Sequence, residues 1–433
     1  MTGYSAGGFH KRKDVNMKKT GIVICIATFV LMMLPMQIQA QQGGKIRFGN
    51  LSVIPGIEIQ GVYDDNIYKG NGKEYANPLL TQQEKKESDW IAHAKPSLWL
   101  NYVLPERGYV NLGYTGDFAF YDKNTSNDWK NNQGNLDINY MAPGGLILGV
   151  TDTYLRAEDP YGSSDQYGIG RVVKRWVNDL RTKAGFAVMS NFRALLYYNN
   201  YKQQYKDIAD YTQDYTDNEV GIGAETRFLP KTWGFLRYHY GQREYNTLGP
   251  LQTSDAHNSD FEWNKVSAGL TWDPGAKLSG ELNVGYQWLT YDNRYTDTGV
   301  EREDKNTWVA ATSINYLPTE TTAMTLNISR AVRSTASDTN EQFVDTGVSF
   351  SIKQQLLAKL YLLGGVSYSK NEYNIPVGNA RTDDNYLGNI GLDYAIQEWL
   401  DVGIGYNYNR KDSNVENQEF VDNQFMAYVK IVY

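Results

Sequence analysis

The stretch Glu281-Leu282-Asn283-Val284-Gly285-Tyr286-Gln287-Trp288 alternates between polar or small residues and apolar ones at every step. Because successive side chains of a β-strand point to opposite faces, this stretch predicts a strand with one apolar and one polar face. The segments Val110–Phe120 and Leu400–Asn409 show the same alternation. The sequence therefore indicates an all-β protein built from amphipathic strands.

The breaks between these strands alternate in kind along the chain. Short breaks carry Pro or Gly, as at 104–108 and 142–145, whereas long breaks such as 63–88 and 291–306 are rich in Asp, Asn, Lys and Tyr. Short turns on one side and long loops on the other are typical of transmembrane β-barrels. We predict a closed antiparallel transmembrane β-barrel of about 18 strands, with both termini on the short-turn, periplasmic side. The segments Gln133–Met141 and Arg193–Tyr201 are weak strands, so 16 strands is the alternative.

The hydropathy of the chain fits a barrel although its average is polar. Mean hydropathy is −0.54, and after residue 40 no apolar run is long enough for a spanning helix. A barrel strand exposes only every second residue to lipid, so half of its side chains can be polar. The 34 Tyr and 10 Trp fit the aromatic girdles of such barrels. The competing interpretation is a soluble, secreted β-propeller or solenoid, but the chain shows no blade motif.

The N-terminal segment has the features of an export signal. The basic residues Lys18 and Lys19 precede the apolar stretch Gly21–Leu34, and Ala40 offers a small residue for cleavage. We expect residues 1–40 to be an extension and cleaved signal peptide with its true start at Met17, residues 41–50 to be a short periplasmic lead, and residues 51–433 to form one barrel. Cys25, the only cysteine, falls inside the signal, so the mature chain needs no disulfide.

Charge and motif content narrow the function. The net charge of −7 falls to about −11 when residues 1–40, with five basic residues and one acidic residue, are removed. Such an acidic protein is not expected to bind nucleic acid. The mature chain has only His93, His239 and His257, and it lacks recognisable hydrolase, phosphate-binding and metal motifs. The sequence therefore predicts no enzyme activity, no cofactor and no metal. A neighbouring carboxylate such as Glu225 could orient His239 in a hydrolase site, but no serine is placed to complete one. We therefore expect His239 to be a solvated interior histidine.

The polar faces of the strands predict charged side chains in the barrel interior. We expect Glu225 and Arg227 to face Arg237 across the turn at Pro230. Two functions are open for this set of charges: a mutually neutralising network that stiffens the wall, or the lining of a pore that screens solutes. A plug would have to be a folded-in loop, with Tyr63–Ser88 and Asp159–Arg175 as the candidates. The pore-lining candidates are Asp117, Asp137, Arg181, Lys183, Glu225, Arg227, Arg237, Lys265, Glu281, Lys353 and Asp393.

The end of the chain resembles the targeting strand of bacterial outer-membrane proteins. Phe425, Val429, Ile431 and Tyr433 share one face of the last predicted strand, and Tyr433 is the final residue. The general pattern ends in Phe, and Tyr is a common variant. The resemblance implies that the barrel-assembly machinery is a partner of this protein, together with outer-membrane lipid and lipopolysaccharide.

A second resemblance covers the start of the predicted barrel. Pro55-Gly56-Ile57-Glu58, Tyr63-Asp64-Asp65-Asn66-Ile67-Tyr68, Ser88-Asp89-Trp90-Ile91 and Pro96-Ser97-Leu98-Trp99-Leu100 follow one another in order. This series is similar to the opening of the putative β-barrel porin 2 family, whose members are often associated with exopolysaccharide loci. The resemblance implies an outer-membrane channel of a Gram-negative bacterium that passes hydrophilic solutes, with exopolysaccharide export and a polysaccharide partner as a narrower form. The alternative is a non-conducting barrel that serves as envelope anchor or assembly partner of a polysaccharide-export system.

Overall fold

The structure is a computed structural model, and it describes residues 46–72, 86–160, 172–207, 214–245, 260–272, 277–295, 301, 304–334, 342–373, 380–415 and 418–433. The predicted signal peptide, residues 1–40, lies outside this range. In the described part of the chain, no helix is both long and apolar enough to cross a membrane. A short 3-10 turn lies at Thr125–Asn127.

The described residues form nineteen strands in one sheet. Their bounds are β1 (Ile46–Phe48), β2 (Leu51–Asp64), β3 (Asp89–Leu104), β4 (Gly108–Tyr121), β5 (Trp129–Met141), β6 (Leu146–Asp159), β7 (Val173–Met189), β8 (Phe192–Tyr205), β9 (Tyr215–Leu229), β10 (Thr232–Tyr245), β11 (Phe261–Trp272), β12 (Leu278–Tyr291), β13 (Lys305–Thr319), β14 (Thr322–Ser334), β15 (Gln342–Leu357), β16 (Leu360–Tyr373), β17 (Thr382–Gln397), β18 (Leu400–Ser413) and β19 (Phe420–Val432).

Strands β2 to β19 form a closed antiparallel barrel. Each strand pairs with the next along the chain, and β19 closes the circle by pairing with β2 from Gln424↔Asp64 to Val432↔Gly56. The barrel therefore has 18 strands, which confirms the predicted closed antiparallel barrel and decides against 16. The two segments that looked weak in the sequence are the complete strands β5 and β8. Closure matters because an open sheet would leave unpaired backbone groups at its edges.

The short strand β1 is an addition to this barrel that the sequence pattern did not indicate. It folds back on the start of β2 through a turn in which Gly49 has φ +61°, and Ile46 pairs with Val53. The end of the chain meets the same region, because the backbone N–H of Tyr433 donates to the carbonyl of Pro55 at 2.9 Å. Strand β1 and the C-terminal residue are thus both held against β2.

The register assigns every strand residue to one of two faces. Residues directly opposite each other on paired strands share a face. Except for the last pair at five of the short turns, where the register shifts, the pairings join the odd-numbered residues of β3–β18 with the even-numbered residues of β2 and β19. The other face carries large exposed apolar side chains, including Ile222, Leu236, Val366 and Ile404, each about three-fifths exposed. This alternation continues around the barrel apart from the register shifts at those short turns.

Glycine on the polar face makes room for large neighbouring side chains. A Cβ on Gly241 would lie 2.2 Å from Cζ2 of Trp263, and one on Gly113 would lie 2.3 Å from Cζ3 of Trp99. In each case the indole ring lies against the glycine of the adjacent strand. Any larger residue at these two positions would displace the ring.

Candidate functional site

The polar face of the sheet is the concave, interior face of the barrel. Side chains from strands two apart meet there: Arg237 of β10 contacts Glu281 of β12 at 2.8 Å, and Tyr428 of β19 donates to Asp393 of β17 at 3.1 Å. On a closed wall, side chains converge on the concave side and spread apart on the convex side. The apolar face is therefore the outer surface.

The structure places all eleven candidate residues for a pore lining on this interior face, by the register above. Glu225 and Asp117 are buried, whereas Arg181 and Arg227 are exposed. The four residues of the predicted targeting strand lie together on the outer face at the end of the chain, and Phe425 and Tyr433 are each more than half exposed. The eleven are Asp117, Asp137, Arg181, Lys183, Glu225, Arg227, Arg237, Lys265, Glu281, Lys353 and Asp393.

Four of the charged residues on β8–β12 form a continuous chain of ion pairs. Glu225, which is almost fully buried, accepts from Nε of Arg193 at 2.5 Å and from Nη2 of Arg237 at 3.0 Å. Arg237 also donates from Nη1 to Glu281 at 2.8 Å. The predicted contact between Glu225 and Arg237 is present. Arg227, which was also predicted to face Arg237, stacks on Trp233 instead. Its guanidinium lies over the Trp233 ring, 4.5 Å from the centroid, and that of Arg193 lies 4.0 Å from the same centroid.

A second network centres on Glu219 rather than on Glu225. His239 Nδ1 lies 3.0 Å from Glu219 Oε1, and Lys265 Nζ and Trp263 Nε1 each donate to Oε2 at 2.8 Å. The carboxylate beside His239 is therefore Glu219 and not Glu225, the candidate that the sequence suggested. The register places His239 opposite Gly221, and the imidazole crosses that glycine toward the next interior residue, Glu219.

The two described histidines are buried rather than solvated. His239 is 7% exposed and His93 is 1% exposed. His93 Nδ1 lies 2.5 Å from Asp117 Oδ1, and the imidazole packs edge-on against Trp129. This contradicts the expectation of a solvated interior histidine at position 239, and the cause is the close packing of side chains against the wall. His257 lies outside the described residues.

An arginine held among aromatic rings continues the charged wall toward the long-loop end. Arg243 donates two hydrogen bonds to Asp217, at 2.6 and 2.7 Å. Its guanidinium carbon lies 3.8 Å from the centroid of Tyr215 and 5.1 Å from that of Phe261. Stacking of this kind fixes the guanidinium in place while its charge stays paired. The wall from β7 to β12 is thus a layer of paired charges and aromatic rings.

The loop that follows β2 folds into the interior. Ile67 and Tyr68 are buried in a cluster with Val62, Ile91 and Trp129, all of which point inward from β2, β3 and β5. Val172, at the base of another long loop, packs against the same cluster. Tyr63–Ser88 and Asp159–Arg175 were the two loops expected to supply a plug. Their described parts reach the interior wall, and residues 73–85 and 161–171 lie outside the described residues.

Hydrogen bonds and ion pairs hold this inward loop to the first and last strands of the barrel. Asn66 donates to the carbonyls of Gly70 and Val421 and accepts from the N–H of Gly70, at 2.8, 2.9 and 3.0 Å. Lys69 pairs with Asp422 and lies 3.6 Å from Asp64. Burial alone would lower the pKa of Lys69, but the two carboxylates outweigh it and raise the pKa to about 12. The Lys69 ammonium thus lies between the carboxylates of Asp64 and Asp422, in the position that a metal ion bound by these two residues would take.

Sequence reasoning named this loop as a possible folded-in plug but missed the residues that anchor it to the wall. The signal was present, because Ile67 and Tyr68 are apolar residues within an otherwise polar segment. Apolar residues that interrupt a polar loop indicate burial against another surface. The residues of β19 that bind this loop are more than 350 positions away in the chain. They could be identified only once the closure of the barrel was known.

Comparisons with known proteins give one family and a set of distant structural likenesses. The family model described as Putative beta-barrel porin 2 matches residues 41–433. No curated protein matches the chain. The outer membrane protein opdK from Pseudomonas aeruginosa is similar at 11% identity and a TM-score of 0.41, covering 88% of this chain and 99% of that one. A BenF-like porin from Pseudomonas fluorescens Pf-5 is similar at 9% identity and a TM-score of 0.44, covering 89% of this chain and 100% of that one. The FrpB iron transporter from Neisseria meningitidis is similar at 9% identity and a TM-score of 0.43, covering 88% of this chain and 82% of that one.

Proposed function

Because this chain belongs to the putative β-barrel porin 2 family, we propose that it is a passive channel for hydrophilic solutes. As a member of that family it is a porin-like barrel of the outer membrane of Gram-negative bacteria. Transport through such a barrel needs no catalytic step, so the interior residues are assigned roles in hydration and solute contact.

The observation that carries the proposal is the row of charged side chains on the interior of a wide closed wall. Barrels of 16–18 strands are wide enough to enclose water, unlike those of eight strands, whose interior is filled by side chains. Here the interior positions carry charges paired along the wall, as in the chain from Arg193 to Glu281. Charges that are paired along the wall need no partner from the centre of the barrel. The stiffening and pore-lining interpretations of these residues are therefore compatible.

We assign the orientation from the lengths of the connections. Connections at the end where the chain starts and stops are short, such as 105–107, 190–191 and 398–399. Connections at the opposite end include 65–88, 160–172 and 246–260. Barrels of bacterial outer membranes place short turns in the periplasm. The proposal accordingly puts both termini in the periplasm, with residues 1–40 as the export signal and 41–50 as the lead.

Single-channel recording in planar bilayers tests the proposal. The folded barrel, purified in detergent, is expected to insert and give stepwise conductance, and a boiled sample of the same preparation is the control. Folding is checked separately, because a folded barrel migrates differently on a gel before and after heating. A folded preparation that gives no conductance steps would contradict the channel proposal.

The inward loop favours the second candidate, a non-conducting barrel that acts as an envelope anchor or assembly partner. Ile67 and Tyr68 bring part of the long-loop end onto the interior wall. This candidate predicts a folded protein without conductance, and a variant lacking residues 66–72 that conducts.

Exopolysaccharide export is a narrower form of the channel proposal. Its support is the series of interior tyrosines, among which Tyr201 and Tyr215 stack with ring centroids 5.5 Å apart, since aromatic rings suit the apolar faces of sugars. Addition of a bacterial exopolysaccharide to one side of the bilayer is expected to interrupt the current. A current unchanged by polysaccharide would leave the general channel and remove the export role.

A further inference from the structure

The charges of the barrel interior are sorted by sign between two opposite halves. The first half is β6–β14, and the second is β15–β19 together with β2–β5, nine strands each. Interior positions of the first half carry ten Lys or Arg and six Asp or Glu, whereas those of the second half carry four Lys or Arg and ten Asp or Glu. The net charges of these strand positions are therefore about +4 and −6, and the second becomes about −4 when Lys69 and Arg381, which pair with Asp422 and Asp383 from outside the strands, are included. Over the described residues the sum is close to zero, while the two halves differ in sign.

The two excesses face each other across the lumen. In a closed wall of 18 strands, strands nine positions apart lie on opposite sides, which sets β7 against β16 and β9 against β18. The basic half has Lys183 and Arg227 on β7 and β9, and the acidic half has Asp393 and Asp401 on β17 and β18. All four lie toward the short-turn end of their strands.

Two exposed arginines give the first half its positive character toward the lumen. The side chains of Glu225 and Glu219 lie deep in the wall, 3% and 10% exposed, and the most exposed paired carboxylate on the interior strand positions of this half is 30% exposed. Several arginines are buried with them, but the Arg181 side chain is 66% exposed and Arg227 is also exposed. A solute near this wall therefore meets the guanidinium groups of Arg181 and Arg227 first. On the opposite half, Asp393 accepts from the Tyr428 hydroxyl at 3.1 Å, a neutral donor that leaves its charge in place.

From this sorting we propose that the lumen carries a transverse electric field and selects solutes that bear both charges, namely small zwitterions, over neutral solutes of equal size. The inference rests on the proposed channel function. A zwitterion can turn its anionic group to the β6–β14 wall and its cationic group to the opposite wall, whereas a neutral polyol gains nothing from the field. Because the Debye length is about 10 Å at 0.1 M salt, the preference weakens as ionic strength rises.

Liposome swelling with the full-length barrel tests the preference, with γ-aminobutyrate as the zwitterion and erythritol as the neutral solute. The variants Lys183→Gln and Asp401→Asn each remove one charge, and neither residue has an ion pair within 4.0 Å among the described residues. Each is expected to lower the rate for γ-aminobutyrate relative to erythritol by about twofold at low salt. Asp412→Asn is the control, because Asp412 pairs with Arg410 on the outer face at 2.8 Å, and its ratio is expected to match the wild type.

Reversal potentials in a KCl gradient give an independent readout. Lys183→Gln should shift the selectivity toward K⁺, and Asp401→Asn should shift it toward Cl⁻, by similar amounts. The transverse field would be overturned if the wild type took up γ-aminobutyrate and erythritol at nearly equal rates. It would also be overturned if Lys183→Gln and Asp401→Asn left the ratio of these two rates unchanged. Absence of erythritol uptake by the wild type would instead contradict the channel proposal, so the two failures are distinguishable.

Discussion

Arg237 is the interior residue whose loss should matter most, because two carboxylates share its guanidinium. Its side chain is only 13% exposed, and it bridges Glu225 and Glu281. Arg237→Met would leave Glu281 without its cation and Glu225 with Arg193 alone. We expect the free energy of unfolding to fall by about 3 kcal/mol, the low end of the cost of breaking a buried ion pair. Urea unfolding in lipid vesicles measures it.

The matched control for that variant is Arg181→Met. Arg181 pairs with Asp179 on its own strand at 2.7 Å, but its side chain is two-thirds exposed. A solvent-exposed pair contributes at most about 1 kcal/mol. Equal losses for the two variants would mean that the chain of ion pairs through Arg237 does not stabilise the wall.

Gly241 is the residue at which a single methyl group should disturb the interior. The Cβ of Gly241→Ala would lie 2.2 Å from the Trp263 ring, which must then move away from Glu219. Overpacking of this kind costs about 1–3 kcal/mol, and the tryptophan emission of the folded barrel should change. Gly134→Ala is the control, because nothing lies within 4 Å of its Cβ. A stable Gly241→Ala barrel with unchanged emission would contradict this packing.

At the level of the strand, the assignment of faces predicts opposite outcomes for neighbouring residues. Val284 lies near the middle of β12 and is 49% exposed on the outer face, whereas Asn283 faces the interior. Arg at mid-membrane on a lipid-facing position costs about 2–4 kcal/mol, so Val284→Arg should fold poorly into vesicles. Asn283→Arg should fold well beside Glu281. The fraction of heat-modifiable protein measures both, and the reverse ranking would exchange the two faces.

Strands were predictable from the sequence because lipid forces a strict two-residue period on them. The prediction weakens beyond the lipid, where nothing imposes apolar residues. Hence β5 begins at Trp129 rather than Gln133, and β8 continues to Tyr205 rather than Tyr201. The partners of interior side chains were less predictable, since they depend on register and on reach across glycine. His239 shows this, because it lies opposite Gly221 and its ring extends two residues along β9 to Glu219 rather than four residues to Glu225.

At the level of the whole molecule, closure of the barrel depends on the pairing of β2 with β19. Ile59 and Val429 are opposite each other in this register and both face outward. We expect Ile59→Cys with Val429→Cys to form a disulfide, which links the chain into a large ring. Boiled, unreduced protein should then migrate faster than reduced protein.

The control for the cross-link pairs Ile59→Cys with Ile431→Cys, two residues out of register. Diagonal neighbours of this kind lie about 7–8 Å apart, beyond the reach of an undistorted disulfide. Only the in-register pair should give the fast-migrating band. A band of equal strength from both pairs would show that the two strands slide against each other.

The meeting of Tyr433 with Pro55 has a consequence for rearranging the gene. Since the start and end of the barrel are neighbours at one rim, a short peptide can join them, and the chain can be opened instead at a tight turn such as 105–107. The circularly permuted polypeptide would keep every strand pairing while β4 became its first strand and β3 its last. Such permutants would reveal whether assembly requires the natural final strand or accepts any strand that ends the chain.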